Sequence, residues 1–307
     1  MATKKSKTSN KSTKTTSTKS KTAAKPAVKS EVEAPKTNKV EKTNKKSSCL
    51  SGFFARKYEE KESILTIFKN PKFYGSLIGE IIGTMLLTLL IFAILPFQGG
   101  VYNIINNVFA VTAILIAVYA FSGACLNPLI TVGMMASRRI SVIRGVMYII
   151  AEIVGAWFGW MIINSFHLAG GETAMDIPQM SELAEGSFWP IVMVELLGAI
   201  VIAFFFARAL KYKRSVFTFA VTVAGGIALA AIIGYVASAG FLSANNNFVF
   251  NPAIALMLQI FPTAGDSFGE IFGGICQALS IYALFPMIGG VIGFYLSDFT
   301  SKLSSEE

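Results

Sequence analysis

The sequence has very little charge over most of its length. Only 15% of its 307 residues are charged, whereas 53% are hydrophobic. The net charge of +9 comes from the start of the chain, because 19 of the 27 Lys and Arg residues precede Tyr74 and the remaining 8 face 12 acidic residues. This composition excludes an ordinary soluble domain and a basic nucleic-acid-binding body. It predicts a membrane protein with several spans.

Histidine and cysteine are also scarce. His167 is the only histidine, and Cys49, Cys125 and Cys276 show no C-x-x-C spacing. Neither a metal site nor a disulfide framework is predicted. No catalytic nucleophile and no phosphate-binding loop is found in the sequence, so we expect no cofactor and no enzymatic activity.

The chain divides into a long hydrophobic region and polar ends. Residues 1–48 are rich in Lys, Ser, Thr and Ala, which predicts a disordered basic cytoplasmic tail; it is either simply solvated or in contact with anionic lipid or an unknown acidic partner. Residues 49–73 are predicted to be a cytoplasmic lead-in segment, in which Asn70-Pro71 is a start signal for the first span. Residues 74–296 form the membrane domain, and 297–307 a cytoplasmic C-terminal tail.

Six apolar runs are long enough to cross about 30 Å of hydrocarbon. They cover roughly residues 74–95, 104–121, 143–166, 188–209, 216–240 and 269–296. Lys and Arg follow the second, fourth and sixth runs, whereas the connections 96–103, 167–187 and 241–268 contain none. The positive-inside rule therefore places both termini in the cytoplasm of a multi-pass protein, which we assign to the plasma membrane.

The two halves of the membrane domain, about 74–166 and 188–296, repeat each other. The first and fourth runs each carry a glutamate three residues before a glycine, and the third and sixth runs carry glycines at small-xxx-small spacing. Each half also has an Asn-Pro pair after its second run. Because three spans is an odd number, the second half is inverted relative to the first. The residues concerned are Glu80, Gly83, Glu195, Gly198, Gly155, Gly159, Gly289, Gly293, Asn127-Pro128 and Asn251-Pro252.

The Asn-Pro pairs predict two half-helices. Asparagine is a favoured N-cap and proline is favoured at the first helical position. A helix from Asn127 to Ser137 would rise about 15 Å, half of the hydrocarbon thickness, and 251–261 gives a similar length. Two half-helices that enter from opposite faces bring their N-termini together at the midplane. The alternative is that both pairs are kinks in ordinary spans.

Three glutamates lie within the apolar runs. Glu80 and Glu195 are interpreted as acceptors for backbone N–H groups of the irregular segments that lead to the half-helices, with a proton relay as the alternative. Glu152 has no acidic equivalent in the second half, where Pro286 stands, and is interpreted as a helix-interface residue.

Several motifs in this order resemble the major intrinsic proteins, the aquaporins and glycerol facilitators. They are GEIIGTMLL, SGACLNPLITVGMMASRRIS, AEIVGAWFGW, VELLGAIVIAFF and FNPAIALML, and the match covers about residues 74–296. The resemblance implies an all-α fold of six transmembrane helices and two re-entrant half-helices, a pore in every subunit and a homotetramer. The pore-asparagine motifs would be Asn127-Pro128-Leu129 and Asn251-Pro252-Ala253, with Cys125 near the pore.

The same resemblance shows an atypical selectivity filter. Leu129 stands where the family usually has alanine, and Ile254 where it usually has arginine. The family pattern also assigns Asn107 and Phe248 to the filter. The fifth-span position stays open, because an insertion in the loop between this span and the second Asn-Pro pair makes three residues possible: Tyr235, Ala239 or Phe241.

The predicted function is a passive channel for small neutral solutes such as water, glycerol or similar polyols. Ions would be excluded by the half-helix dipoles and by two midpore asparagines. A secondary transporter is the first alternative, and it requires saturable, ion-coupled flux. A non-conducting structural member of the same family is the second, and it requires a normal tetramer with negligible permeability.

Overall fold

The described part of the chain is helical, and no strand occurs in it. The computed structural model describes residues 64–94, 100–170, 188–212, 215–240, 248–259 and 267–304, all within one compact unit, Ala55–Glu307. The predicted tail 1–48, most of the lead-in segment and Phe241 lie outside these residues. The helices are α1 (Ile64–Lys69), α2 (Pro71–Ile94), α3 (Gly100–Ser122), α4 (Pro128–Ala136), α5 (Val142–Ala169), α6 (Phe188–Tyr212), α7 (Val216–Gly240), α8 (Pro252–Gln259), α9 (Phe268–Leu279) and α10 (Phe285–Leu303).

Six helical stretches are long and apolar enough to cross a membrane, so the predicted fold class is confirmed. They are Pro71–Phe92, Ile105–Ser122, Val142–Phe166, Phe188–Lys211, Val216–Ala237 and Phe272–Leu303. The last stretch joins α9 and α10 through a π-helical turn, Ser280–Leu284. This wider turn directly precedes the Phe285-Pro286 pair. A proline ring clashes with the carbonyl of the residue four positions earlier, here Tyr282, and the π turn moves that carbonyl away.

The ends of the first and last spans differ from the predicted boundaries. Helix α2 begins at Pro71, three residues before the apolar run at 74 but where the Asn70-Pro71 signal predicts, and the Asn70 side chain accepts a hydrogen bond from the Lys72 N–H at 3.0 Å. Helix α10 continues to Leu303 instead of ending at 296. The polar residues after 296 suggested a tail, but Asp298 is buried against two cations and so remains in the helix.

The two halves pack in the same way, as the glycine pattern predicts. Gly155 and Gly159 of α5 contact the backbone of α2, so a Cβ at either would meet the carbonyl of Ile81 or Met85. Gly289 and Gly293 of α10 contact the carbonyls of α6 in the same manner. The first span thus packs on the third and the fourth on the sixth, while α3 and α7 join the halves. The prediction of close helix contacts at these glycines is confirmed.

Each half-helix packs against the third span of the opposite half. Helix α4 lies on α10, and α8 lies on α5. The contact between α4 and α10 is closest at Gly290, where an added Cβ would collide with the Leu129 carbonyl, and at Gly133, where it would collide with the Phe294 ring. Because each half-helix packs on a span of the other half, both short helices are held between the two halves.

We predict that Gly290→Ala destabilises the fold by about 1–3 kcal/mol, the usual cost of overpacking a tight interface. The new methyl group would meet backbone, which cannot rotate away as a side chain can. Gly225→Ala is the matched control, because a Cβ there has no neighbour within 4 Å. Thermal unfolding of the two purified variants in detergent measures the difference, and equal melting temperatures would contradict the packing described.

Candidate pore site

The first half-helix begins with a capped asparagine. Asn127 has extended backbone angles, and its side-chain oxygen accepts the N–H of Leu129 at 3.1 Å. Pro128 follows at the first helical position, where no backbone donor is needed. The side chain of Asn127 is therefore held by the helix start itself.

The second half-helix has the same cap, and the two caps are bonded to each other's segment. The Asn251 oxygen accepts the N–H of Ala253 at 3.1 Å. The Asn127 amide nitrogen donates to the Phe250 carbonyl at 2.8 Å, and the Asn251 amide nitrogen donates to the Leu126 carbonyl at 3.0 Å. The two half-helices thus meet at their N-termini through reciprocal hydrogen bonds.

These bonds require an uncommon backbone conformation just before each asparagine. Leu126 and Phe250 occupy the left-handed region, with φ of 54° and 50°, where a bulky side chain is strained. Their side chains fit because glycines face them: a Cβ at Gly83 would collide with Leu126, and one at Gly198 with Phe250. The repeated Glu-x-x-Gly pattern therefore provides room for the residue that precedes each asparagine.

The glutamates of the same pattern hold the irregular backbone. Glu80 accepts the N–H of Cys125 at 3.2 Å on one oxygen and the N–H of Leu126 at 2.6 Å on the other. Glu195 accepts the N–H of Val249 at 2.8 Å and, through its second oxygen, the N–H of Phe250 at 3.1 Å. Both side chains are 0% exposed. Each carboxylate therefore uses both oxygens on two consecutive amides.

Glu152 contributes to the same site, which the sequence did not reveal. Its Oε1 atom accepts the Asn127 N–H at 3.2 Å and the Thr131 hydroxyl at 2.6 Å, while its buried Oε2 atom has no hydrogen-bond partner. Glu152 does lie at a helix interface, but its partner is the half-helix cap. The sequence feature that could have indicated this role of Glu152 was Thr131, one helical turn after the capping asparagine.

The candidate filter residues differ in how deeply their side chains are buried. The side chains of Asn107 and Phe248 are half-buried, and the Phe248 ring stacks on Phe250 at 6.1 Å. Ile254 is completely buried and belongs to the apolar core. Its side chain therefore borders no solvent-accessible space, in contrast to the other two.

In the fifth span, the residue next to Phe248 is Gly234. A Cβ at Gly234 would lie 2.9 Å from the Phe248 ring. The candidate Tyr235, the next residue of α7, is 61% exposed. The side chain of Ala239 and the whole of Phe241 lie outside the described residues. Gly234 was not among the residues predicted from the sequence, because a glycine has no side chain that would mark its contact with Phe248.

Two further predicted residues are buried. Leu129 is fully enclosed at the contact between α4 and α10, and Cys125 lies in the core beside the backbone amides that Glu80 accepts. Across the described ranges, no group of three His, Cys, Asp or Glu side chains has the arrangement of a metal site.

Residues 67–296 match the family model described as major intrinsic protein. The chain belongs to this family. Its members are membrane channels for water or small neutral solutes, not enzymes. The membership agrees with the six spans and with the two half-helices that begin at Asn-Pro pairs.

Individual relatives match this major intrinsic protein over different lengths. Aquaporin AqpM of Methanothermobacter marburgensis is 24% identical over 184 residues, which is 60% of this chain and 70% of that protein. Probable aquaporin PIP2-5 of Arabidopsis thaliana is 28% identical over 47% of this chain and 55% of its own length. The chain thus spans only about half of the plant relative. The crystal structure of an aquaglyceroporin from Plasmodium falciparum has a TM-score of 0.51 at 17% identity and covers 75% of this chain and 96% of that one, which establishes the shared fold.

We predict that substitution by glutamine destabilises the protein to a different extent at each of the three buried glutamates. In Glu80→Gln and Glu195→Gln, the new NH₂ group would replace an acceptor and face a backbone donor. Each change should cost about 1–3 kcal/mol, the penalty for unsatisfied buried groups. Glu152→Gln keeps the single oxygen that accepts both bonds and should cost less.

Melting temperatures of the three variants in one detergent provide the measurement. Glu152→Ala, which removes the acceptor altogether, is the control for the third position. A Glu152→Gln variant as unstable as Glu152→Ala would contradict the assigned bonding.

Proposed function

We propose that the chain forms a passive pore for water and for small uncharged hydroxylic solutes such as glycerol. The observation that carries the proposal is the meeting of Asn127 and Asn251 at the joined N-termini of two half-helices. Each amide nitrogen has two hydrogens and gives one to the opposite segment, which leaves the second for a solute oxygen. A hydroxyl or water oxygen can accept both of these bonds.

The charges around this point disfavour ions. The N-terminal ends of α4 and α8 both present partial positive charge at the junction. A cation that passes would lose water and meet donors instead of acceptors. The proposed pore therefore selects neutral solutes by the direction of its hydrogen-bonding groups.

The proposed filter is formed by Asn107, Gly234 and Phe248. The apolar Phe248 ring suits the alkyl side of a polyol, and the Asn107 amide suits its hydroxyl groups. The arginine that the family resemblance places at position 254 is replaced by a buried isoleucine, so this position adds neither charge nor donors. Such a filter excludes by size and polarity.

The same proposal includes a homotetramer in the plasma membrane with both termini in the cytoplasm. The described Lys and Arg residues support the orientation, because they lie near the same end of the helix bundle: Lys69, Lys72, Arg138, Arg139, Arg144, Arg208, Lys211 and Lys302. We name this the cationic end. By the positive-inside rule it faces the cytoplasm.

Stopped-flow light scattering on proteoliposomes tests the function. Purified protein should increase the rate of shrinkage in impermeant sorbitol and the rate of reswelling in glycerol, relative to empty vesicles. Asn251→Leu, which removes one of the two amides, is the negative control. A tetrameric protein that raises neither rate would support the non-conducting alternative, and flux that requires an ion gradient would support a transporter.

We predict that Gly234→Leu removes most of the glycerol permeability and reduces the water permeability less. The leucine Cβ would lie 2.9 Å from the Phe248 ring, so the ring would have to move, and the two side chains together would narrow the proposed filter more for the larger solute. Gly225→Leu, on the same helix but with no atom within 4 Å of the added Cβ, is the matched control. Equal glycerol rates for both variants would remove Gly234 from the proposed filter.

A further inference from the structure

The end of half-helix α4 that is remote from Asn127 is bonded to α10. The Tyr295 hydroxyl donates to the carbonyl of Ala136, the last residue of α4, at 2.8 Å. Three residues later, Arg139 Nη2 lies 2.8 Å from Asp298 Oδ1. Tyr295 and Asp298 both belong to α10. We name these two contacts the end clamp of α4.

The turn after α4 connects Arg139 firmly to the helix. The Arg138 N–H donates to the Met135 carbonyl at 2.9 Å, and the Arg139 N–H donates to the Met134 carbonyl at 2.8 Å. Arg138 occupies the left-handed region, with φ of 57°. This is the Schellman arrangement, which closes the C-terminal end of a helix. The contact between Arg139 and Asp298 therefore acts on α4 itself and not on a loose connection.

Asp298 is held in place from several directions. Its side chain is 2% exposed, and Lys211 Nζ of α6 lies 2.9 Å from the same Oδ1 atom. The Arg139 guanidinium also lies over the Phe294 ring of α10, with its carbon 5.0 Å from the ring centroid. The end clamp thus ties α4 to two long spans, α6 and α10, that pack closely on each other.

The end clamp can act on Asn127 through the length of α4. The nine residues of this helix span about 13 Å. At the other end, the Asn127 side-chain oxygen accepts the N–H of Leu129, so the amide follows the direction of the first turn. A helix held only at its first turn could tilt about that turn. Movement of its far end would then change the direction of the Asn127 amide.

The contacts in the middle of α4 do not replace the end clamp. At Gly133 the helix touches the Phe294 ring, and at Leu129 it touches the backbone of Gly290. Close contacts of this kind fix the distance between α4 and α10. Hydrogen bonds and ion pairs depend on direction as well as distance, so the end clamp also restricts tilt and rotation.

We propose that Tyr295 and Asp298 are positioning residues for the pore: through the end clamp they set the direction in which the Asn127 amide donates to a solute. This inference rests on the proposed function, in which a solute oxygen accepts that bond. A water molecule can rotate to follow a changed donor. Glycerol cannot do so without moving its carbon frame against the pore wall, so glycerol should be affected more.

Hydrogen–deuterium exchange of the full-length protein in detergent, followed by mass spectrometry, tests the positioning without requiring transport. Tyr295→Phe keeps the ring and removes the hydroxyl. Exchange of the amides in 125–129, at the start of α4, should rise about three- to tenfold, the effect of losing one hydrogen bond. Exchange in α2 and α7 should stay at the wild-type level, because the loss acts through α4 and not on the whole bundle.

Tyr74→Phe is the matched control. The Tyr74 hydroxyl donates to the Phe68 carbonyl at 3.0 Å, so this variant loses the same kind of bond between α2 and α1 and leaves α4 untouched. It should keep the wild-type exchange at 125–129. Asp298→Asn removes the charge from the end clamp and should raise the same exchange. If that variant does not fold, Tyr295→Phe decides alone.

The ratio of glycerol to water permeability in proteoliposomes is the second measurement, and it does not depend on the amount of protein incorporated. Tyr295→Phe should lower this ratio, whereas Tyr74→Phe should keep the wild-type value. A wild-type protein that conducts neither solute would contradict the proposed function. The exchange experiment would still decide whether the end clamp positions the start of α4.

Three results would overturn the inference. Wild-type exchange at 125–129 in a folded Tyr295→Phe variant would show that the effect of the end clamp does not reach Asn127. An equal rise in α2 and α7 would show that Tyr295 serves general stability. An unchanged glycerol-to-water ratio in a conducting Tyr295→Phe variant would show that the end clamp has no part in selecting the solute.

Discussion

The structure depends on satisfying backbone amides that lie deep within the bundle and outside any helix. Cys125, Leu126, Val249 and Phe250 each have an N–H group that cannot bond within a helix. Leaving such groups unpaired in a membrane would cost about 2–7 kcal/mol each. A carboxylate is suited to this task because both of its oxygens accept and neither donates. Glu80 and Glu195 therefore fix the position of each irregular segment. This in turn fixes the position of the half-helix that follows it.

The positions of Asn127 and Asn251 follow from the same constraint. Once the carboxylates hold the segment, Leu126 and Phe250 adopt left-handed angles, and their carbonyls turn toward the opposite asparagine. Gly83 and Gly198 are needed so that these strained side chains have room. The strain is offset by a closed set of hydrogen bonds in which each half supplies the partner of the other. Neither half could hold its asparagine in this position alone.

The two repeats differ in the residues that complete this arrangement. Those residues could not be predicted from the sequence. The apolar runs, the Asn-Pro pairs and the small-xxx-small glycines are local patterns, so they predicted the spans, the half-helices and the close helix contacts. Glu152 and Gly234 act through contacts with distant segments, and the sequence contains no local pattern for either. The end of α10 was misplaced for the same reason, because Asp298 looks like a tail residue until Arg139 and Lys211 are seen beside it. The residue that the fifth span would contribute to the proposed filter was not predicted, because the loop that follows this span contains an insertion.

The three carboxylates also bear on how the proposed pore would exclude ions. They lie close to the N-terminal ends of α4 and α8, where negative charge opposes the positive end of a helix dipole. The helix dipoles alone are therefore a weaker barrier to cations than the two Asn-Pro motifs suggest. The fixed direction of the Asn127 and Asn251 donors does not depend on that net charge, because each amide is bonded at both its oxygen and its nitrogen. A cation needs acceptors, and a rigid pair of donors cannot turn to provide them. Orientation of the amides, more than the electrostatic potential, is then the feature that would keep the pore selective for neutral solutes.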